Sequence, residues 1–389
     1  LPKLTVFSYI KVTGTVKELP AGRFSFMPVE IIDAYLTILS LADEKSASIC
    51  PPKASLEVQL AQRQYYLRDL DFVRILRLND YLVQAFRSYF QQCECTEIFP
   101  PSFTGVECEG GATLFSLDHP GKSTDKPMKA YLTQSSQFAL EMALPGVGDC
   151  FCIAPSFRAE HSHTRRHLTE FTHVEAEWGG ILKFDDHLLH LRQMLFNVLR
   201  TFLKLAQREL KSCRKYERVE KLCEMTRSVR IIEHKEAISL CHQFKIEKEP
   251  GVPFQERDDI PEAQERQLID LLDQIVFLIK FPKEFKSFYM ALDPEDPTRV
   301  LGCDVEVPGV GEIIGSGVRE YDYTRLRDRL LESKLNPEDY SEYLDLRKSG
   351  FGFTSGMGLG LGRMLTWILG LNSIREVTAF PRFPGYLRP

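Results

Sequence analysis

Two periods of apolar and polar residues divide this chain. Near the start the alternation is short, as in Thr5-Val6-Phe7-Ser8-Tyr9-Ile10-Lys11-Val12 and Val29-Glu30-Ile31-Ile32-Asp33-Ala34-Tyr35-Leu36, with turn residues Pro20-Ala21-Gly22 between. That pattern predicts two or three strands of a small β module, too few to close an OB-type barrel. The module, placed at residues 1–48, is therefore truncated or completed elsewhere. Mixed charge and Pro51-Pro52 then mark a linker over residues 49–69.

From residue 70 onward the period lengthens. Phe72, Leu76, Val83, Phe86 and Phe90 recur at helical spacing, and Thr96-Glu97-Ile98-Phe99-Pro100-Pro101 follows as an extended, proline-stopped segment. Asp185 is placed to cap a second helix with Leu188, Leu191, Leu195, Val198, Phe202 and Leu205 on one face. Residues 211–265 are more polar and read as an irregular insertion. Strand-like runs are expected at 285–290, 304–315 and 318–321, and a helix at 361–369 entered through a glycine-rich stretch. Strands and helices mingle without a βαβ rhythm, so residues 70–389 are expected to form an α+β domain, an antiparallel sheet flanked by helices.

Composition narrows the class. In 389 residues, 49 basic side chains face 54 acidic ones, so no global basic field draws the protein to nucleic acid, and such binding must come from local clusters. No apolar run reaches the length of a membrane span. Ten cysteines with no C-x-x-C pair and no small-domain framework point to reduced, structural thiols and a cytoplasmic setting.

Chemistry concentrates in residues 157–177, FRAEHSHTRRHLTEFTHVEAE, which hold four histidines, three arginines and four glutamates. His161, His163 and His167 have zinc-like spacing, with Glu160 or Glu170 as outer carboxylates. Against zinc, Arg158, Arg165 and Arg166 interleave fixed positive charge with those ligands. An anionic ligand accounts for more of the stretch. Arg158 and Arg166 are suited to bidentate contacts with phosphate, His167 adds a donor, and Phe171 offers a flat face to a purine. Glu175 and Glu177 share one side of a strand, where carboxylates are able to hold Mg²⁺ against a triphosphate. A second glycine-rich element, Ser355-Gly356-Met357-Gly358-Leu359-Gly360-Leu361-Gly362-Arg363, allows close backbone approach and brings Arg363 to a helix start.

Taken in order, Glu97-Ile98-Phe99-Pro100-Pro101, then Phe157-Arg158-Ala159-Glu160 with Glu170-Phe171-Thr172-His173-Val174-Glu175-Ala176-Glu177, then Gly358-Leu359-Gly360-Leu361-Gly362-Arg363 resemble the three motifs of class II aminoacyl-tRNA synthetases. Tyr131-Leu132-Thr133-Gln134-Ser135-Ser136-Gln137, Glu109-Gly110-Gly111-Ala112 and the ending Phe380-Pro381-Arg382-Phe383 are similar to the aspartyl/asparaginyl subgroup, and most to its archaeal and eukaryotic cytosolic asparaginyl members.

The resemblance implies an ATP- and Mg²⁺-dependent ligase that activates an amino acid and transfers it to tRNA. It implies that Arg158 grips the α-phosphate and the amino-acid carbonyl, with Arg363 as the second catalytic arginine. ATP contacts fall to Glu160, Arg166, His167, Leu168, Phe171, Glu312 and Arg363, and Mg²⁺ to Asp304, Glu312 and Glu177. Amino-acid contacts fall to Glu109, Ser135, Gln137, Arg158, Glu175 and Arg319. Pro101 is implied at a homodimer interface.

The resemblance also bears on which amino acid is taken. Leu140 stands where aspartyl members carry a lysine, and Glu175 where they carry aspartate. Both favour asparagine and tRNA(Asn) over aspartate. Thr354 and Gly362 occupy positions that are His and Glu in the family pattern. The competing readings are an asparagine synthetase derived from such an enzyme, an aspartyl-tRNA synthetase, and a non-catalytic paralogue.

Overall fold

The computed structural model describes residues 4–23, 27–51, 53–109, 114–120, 128–159 and 164–388. It divides into two compact units, one of residues 1–81 with 206–217, the other of residues 82–205 with 218–389.

In the first unit, β1 (Tyr9–Glu18) and β2 (Val29–Ser40) form an antiparallel hairpin. Tyr9, Val16, Ile31, Tyr35 and Leu39 on this hairpin remain exposed, so it builds no core of its own. The expected linker is partly helical, with short helices at Ser46–Ile49, Leu56–Ala61 and Arg63–Tyr66. Buried Arg63 stacks its guanidinium 4.2 Å from the Phe72 ring centre.

The second unit is built on a mixed sheet. Its strands are β3 (Thr96–Glu97), β7 (Cys150–Phe157), β8 (Glu170–Gly179), β9 (Arg230–Glu233), β10 (Val276–Ile279), β11 (Gly302–Val307), β12 (Gly311–Val318) and β13 (Thr354–Gly360). A smaller sheet pairs β4 (Phe103–Thr104), β6 (Met128–Leu132) and β5 (Ser116–His119). In the large sheet the order is β3-β7-β8-β13-β12-β11-β10-β9, antiparallel except at the two outer pairs, β3–β7 and β10–β9. This is the expected α+β architecture.

The helices agree with their apolar spacing and extend it. Leu70–Gln92 covers the first expected helix, and Leu78, Leu82 and Ala85 join Phe72, Phe86 and Phe90 among its buried residues. Within the second unit Phe90 stacks on Phe151 of β7 at 4.3 Å. Phe184–Leu205 buries His187, Leu188, Leu191, Met194, Leu195, Val198, Leu199 and Phe202, and it begins one residue before Asp185, which lies inside its first turn. Leu361–Leu369 forms as expected.

Two expectations are corrected. Residues 211–265 are regular, carrying helices Tyr216–Met225 and His234–Gln243, the sheet strand β9, and the start of the helix Glu262–Leu272. Around 285–290 the chain makes a 3₁₀ turn at Lys283–Phe285 instead of a strand. The glycine-rich stretch that leads into the helix Leu361–Leu369 is itself a central strand, β13. Glycine is poor in strands unless something approaches closely, and here something does. A Cβ on Gly358 would stand 2.6 Å from His173 Nε2, and one on Gly356 would overlap the Glu177 carboxylate.

Among the described residues no helix is long and apolar enough to cross a membrane, and all ten cysteines are free thiols.

Candidate active site

Period-2 alternation along β8 sends Phe171, His173, Glu175 and Glu177 to one face and Val174, Ala176 and Trp178 to the other, where Trp178 meets His187 of the helix Phe184–Leu205. The first face opens on a cavity of about 200 Å³. Phe171, His173 and Glu175 line it, with Glu109, Ser135, Gln137 and Arg158 on one side. Arg166, His167, Leu168, Lys286, Asp304, Glu312, Arg319 and Arg363 complete it. Most of the sequence-derived candidates thus converge on one cavity.

The exceptions are informative. Glu160, like His161 and His163 of the zinc reading, lies outside the described residues. Pro101 is exposed, beside Phe99, which is 86% exposed. Glu177 is corrected: it does not join Asp304 and Glu312. Both its oxygens are held by Arg319, Nε to Oε2 at 3.1 Å and Nη2 to Oε1 closer still. Burial raises the Glu177 carboxyl to about 7 even though Arg319 pulls it down; burial works against the charged Arg319, and Glu177 with Glu141 more than reverses it. The outcome is a buried, doubly hydrogen-bonded Glu177–Arg319 pair.

The phosphate-like end is cationic. Arg158 follows β7, pairs with Glu109, and stands 5.4 Å from the Phe171 ring centre. Arg166 donates to Glu262 Oε1 at 2.7 Å and to the Glu312 carbonyl at 3.3 Å. Gly311, at φ +84°, leaves room for that guanidinium: a Cβ would lie 2.9 Å from Arg166 Nη1. Arg363 meets Glu312 Oε2 at 3.5 Å and donates to its carbonyl at 3.3 Å. Burial pushes the Glu312 carboxyl up, but Arg363, Lys286, Arg158 and Arg166 win and hold it below the usual range.

Asp304 pairs with Lys286. Burial raises the Asp304 carboxyl to about 6 even though Lys286 pulls it down. The Asp304 and Glu312 carboxylates converge over Gly315. A Cβ there would lie 3.1 Å from Glu312 Oε1 and 4.0 Å from Asp304 Oδ1. Two hard oxygen donors over a cradle that only glycine leaves open fit Mg²⁺, which is held through one or two carboxylates with phosphate oxygens completing the shell.

At the other end Glu175 is fixed. Ser135 Oγ donates to Oε1, the Ser136 N–H donates to Oε2 at 2.9 Å, and the His173 ring lies 3.4 Å away. Burial lowers the His173 pKa, so the ring is neutral and adds no charge beside Glu175. Leu140 is fully buried with Leu144, Cys150 and Cys152 and presents no cation.

Sequence reading missed the layer behind this end. Glu141, fully buried, accepts from Gln137 Nε2 at 2.8 Å, from Tyr343 OH at 2.8 Å and from Arg347 Nη2 at 2.6 Å, and lies 3.8 Å from Arg319. The one local signal was a glutamate four residues beyond Gln137 on a helix. Nothing local pointed to Arg347.

Comparison with known proteins agrees with this geometry. The profile of tRNA synthetases class II (D, K and N) matches residues 55–384. The chain is 37% identical over 387 residues to the cytoplasmic asparagine–tRNA ligase of Mus musculus, covering 99% of this chain and 67% of that protein. It is 37% identical over 388 residues to the asparagine–tRNA ligase of Thermococcus kodakarensis, covering 100% of this chain and 85% of that one. Among solved structures, Entamoeba histolytica asparaginyl-tRNA synthetase in complex with asparaginyl-adenylate superposes with a TM-score of 0.85 at 29% identity, over 98% of this chain and 85% of that chain. Pyrococcus horikoshii asparaginyl-tRNA synthetase complexed with asparaginyl-adenylate gives 0.84 at 34% identity, over 98% and 84%.

Proposed function

The chain belongs to the class II tRNA synthetases of the D, K and N group, and from that premise we propose that it joins asparagine to tRNA(Asn) at the expense of ATP. One observation carries the choice of amino acid. Glu175 is held as a buried acceptor by Ser135 and Ser136, while Leu140 fills an apolar cluster where a second cation would be needed to balance an aspartate side chain. A carboxylate acceptor attracts an amide NH₂ and repels a second carboxylate.

In this reading the adenine ring lies on Phe171, and Arg158 faces the α-phosphate and the amino-acid carboxylate, with Glu109 receiving the α-amino group. Arg319, oriented by Glu177 and Glu141, donates to the side-chain oxygen of asparagine. Gln137 and Ser135 close that end. A carboxylate oxygen attacks the α-phosphorus in line, and the bond from that phosphorus to the bridging oxygen breaks. Pyrophosphate departs with the electron pair, leaving asparaginyl-adenylate. The ribose hydroxyl at the tRNA 3′ end then loses its proton and attacks the acyl carbon, the bond from that carbon to the phosphate oxygen breaks, and AMP departs with the electron pair.

No covalent enzyme intermediate is required, so the rate comes from positioning and from opposing the developing charge. Arg166, His167 and Arg363 surround the departing phosphates, with Leu168 beside them. Asp304 and Glu312 would hold Mg²⁺, which when bound neutralises charge on the triphosphate. A homodimer joined near Pro101 and a cytoplasmic setting complete the proposal. The mouse relative's name supports the second, and exposed Phe99 is consistent with the first.

Charging of tRNA with labelled asparagine, in the presence of ATP and Mg²⁺, tests the whole reading. Acid-precipitable asparaginyl-tRNA is expected. Release of free asparagine from aspartate and ammonia, without charging, would favour the synthetase-derived alternative instead.

A further inference from the structure

Beside the main cavity lies a second one of about 130 Å³, lined by Arg165, Arg166, Arg266, Arg363, Thr366 and Asn372 together with the Gly309-Val310 turn, Leu371 and Ile374. Its charge is one-sided: four guanidinium groups line it and no carboxylate does. Of those four, Arg166 is paired with Glu262 and Arg363 with Glu312, both acids standing outside the lining. Arg165 and Arg266 form no ion pair among the described residues.

Arg166 is also largely buried, at 10% side-chain exposure, and its Nε has no hydrogen-bond partner among the described residues. Like charges gathered around an enclosed space repel one another unless an anion sits among them, and planar forks of N–H donors match the oxygens of phosphates. The cavity is therefore suited to a small, multiply charged phosphate species.

Its position says which one. Arg166, Arg363 and Ile374 line both cavities, so the wall between them is made largely of the two arginines that face the departing phosphates in the main one. The next guanidinium groups beyond that wall are those of Arg266 and Arg165, and no carboxylate lines the cavity that holds them.

We propose that this second cavity is an anion site that receives the pyrophosphate released from the main cavity, an inference that rests on the adenylate-forming reading above. It holds product close to, but off, the α-phosphorus. Arg166 and Arg363 are shared between reaction and release, whereas Arg165 and Arg266 serve release alone.

The test is calorimetric titration of inorganic pyrophosphate into the full chain, with the main cavity saturated by α,β-methylene-ATP, which cannot be cleaved at the α–β position. Binding of pyrophosphate is expected to persist under saturation. In Arg266→Glu it is expected to weaken at least tenfold while the affinity for α,β-methylene-ATP and the thermal midpoint stay unchanged, and Arg165→Ala is expected to weaken it in the same direction.

Pyrophosphate binding that is abolished by the analogue and untouched by Arg266→Glu overturns the proposal. So does a variant that binds pyrophosphate normally but shows a raised KM for tRNA, which would assign the cavity to nucleic-acid backbone. If the analogue does not bind at all and Arg266-dependent pyrophosphate binding remains, the anion site stands and the adenylate-forming reading falls.

Discussion

Arg319 and Glu177 join hands across a strand that has no side chain to stop them. Glu177 lies on β8 and Arg319 just beyond β12, with β13 between, and their contact passes over Gly356, the residue paired with Glu177 in the β8–β13 register. Both partners are at most 3% exposed. A Cβ on Gly356 would stand 1.9 Å from Glu177 Oε1 and 2.4 Å from Arg319 Nη2. This β13 glycine, just ahead of the third motif, is thus a requirement of an ion pair whose members belong to other segments.

Gly356→Ala is expected to break that pair. Parting a buried ion pair costs about 3–5 kcal/mol, so urea unfolding is expected to show a loss of that order. KM for asparagine is expected to rise at least tenfold, with KM for ATP much less affected. An alanine variant with wild-type stability and KM would show that the pair does not depend on the open strand.

Much of this was legible in the chain, and the reasons differ by residue. Phe86, Phe90 and Leu191 announced buried helix faces because side-chain period and burial are local properties. Arg158, Phe171 and Glu175 were legible for the same reason, since one strand and the turn before it carry them. β13 was not, because the atoms that require Gly356 and Gly358 to lack a side chain come from Glu177, Arg319 and His173 on neighbouring segments. Glu177 was misassigned as a metal ligand for the same cause: alternation gave its face, and only Arg319, distant in sequence, fixed its partner.

Leu140 gives a second check. A lysine there would place an ammonium among Leu144, Cys150 and Cys152, next to the elements that hold Glu175. Leu140→Lys is expected to lower the thermal midpoint and to reduce asparagine-dependent adenylation at least tenfold, because the new cation competes for the Glu175 carboxylate. Leu140→Met, near in volume, is expected to stay within twofold of wild type. Equal losses in both variants would mean that packing, and not charge, governs the position.

Gly362 inverts a propensity argument. At the first turn of a helix alanine exceeds glycine by roughly 1 kcal/mol. Here a Cβ would meet the Ile374 side chain at 2.9 Å, and Ile374 is buried. Overpacking costs about 1–3 kcal/mol, so Gly362→Ala is expected to destabilise the protein in chemical unfolding. A stabilised variant would contradict the packing.

His187 sets a pH dependence of stability. Its ring is fully buried between Ser355 Oγ and Ser316 Oγ, both at 3.0 Å, and burial pushes its pKa down to about 3. The unfolded ring titrates near about 6.5, so between these values the unfolded chain binds the extra proton. Stability is therefore full above about 6.5 and falls as pH drops toward 3, by at most about 1.4 kcal/mol per pH unit from this residue. Urea midpoints measured from pH 7 to pH 4 are expected to fall more steeply for wild type than for His187→Gln. Parallel slopes would remove His187 from the account.

The central claim is that this cavity makes asparaginyl-adenylate. Amino-acid-dependent exchange between ATP and labelled pyrophosphate measures it directly, run side by side with asparagine and with aspartate. Exchange with asparagine alone is the result expected from Glu175 as the acceptor and Leu140 in place of a cation. Exchange with aspartate alone, or none with either amino acid in a folded protein, would contradict it.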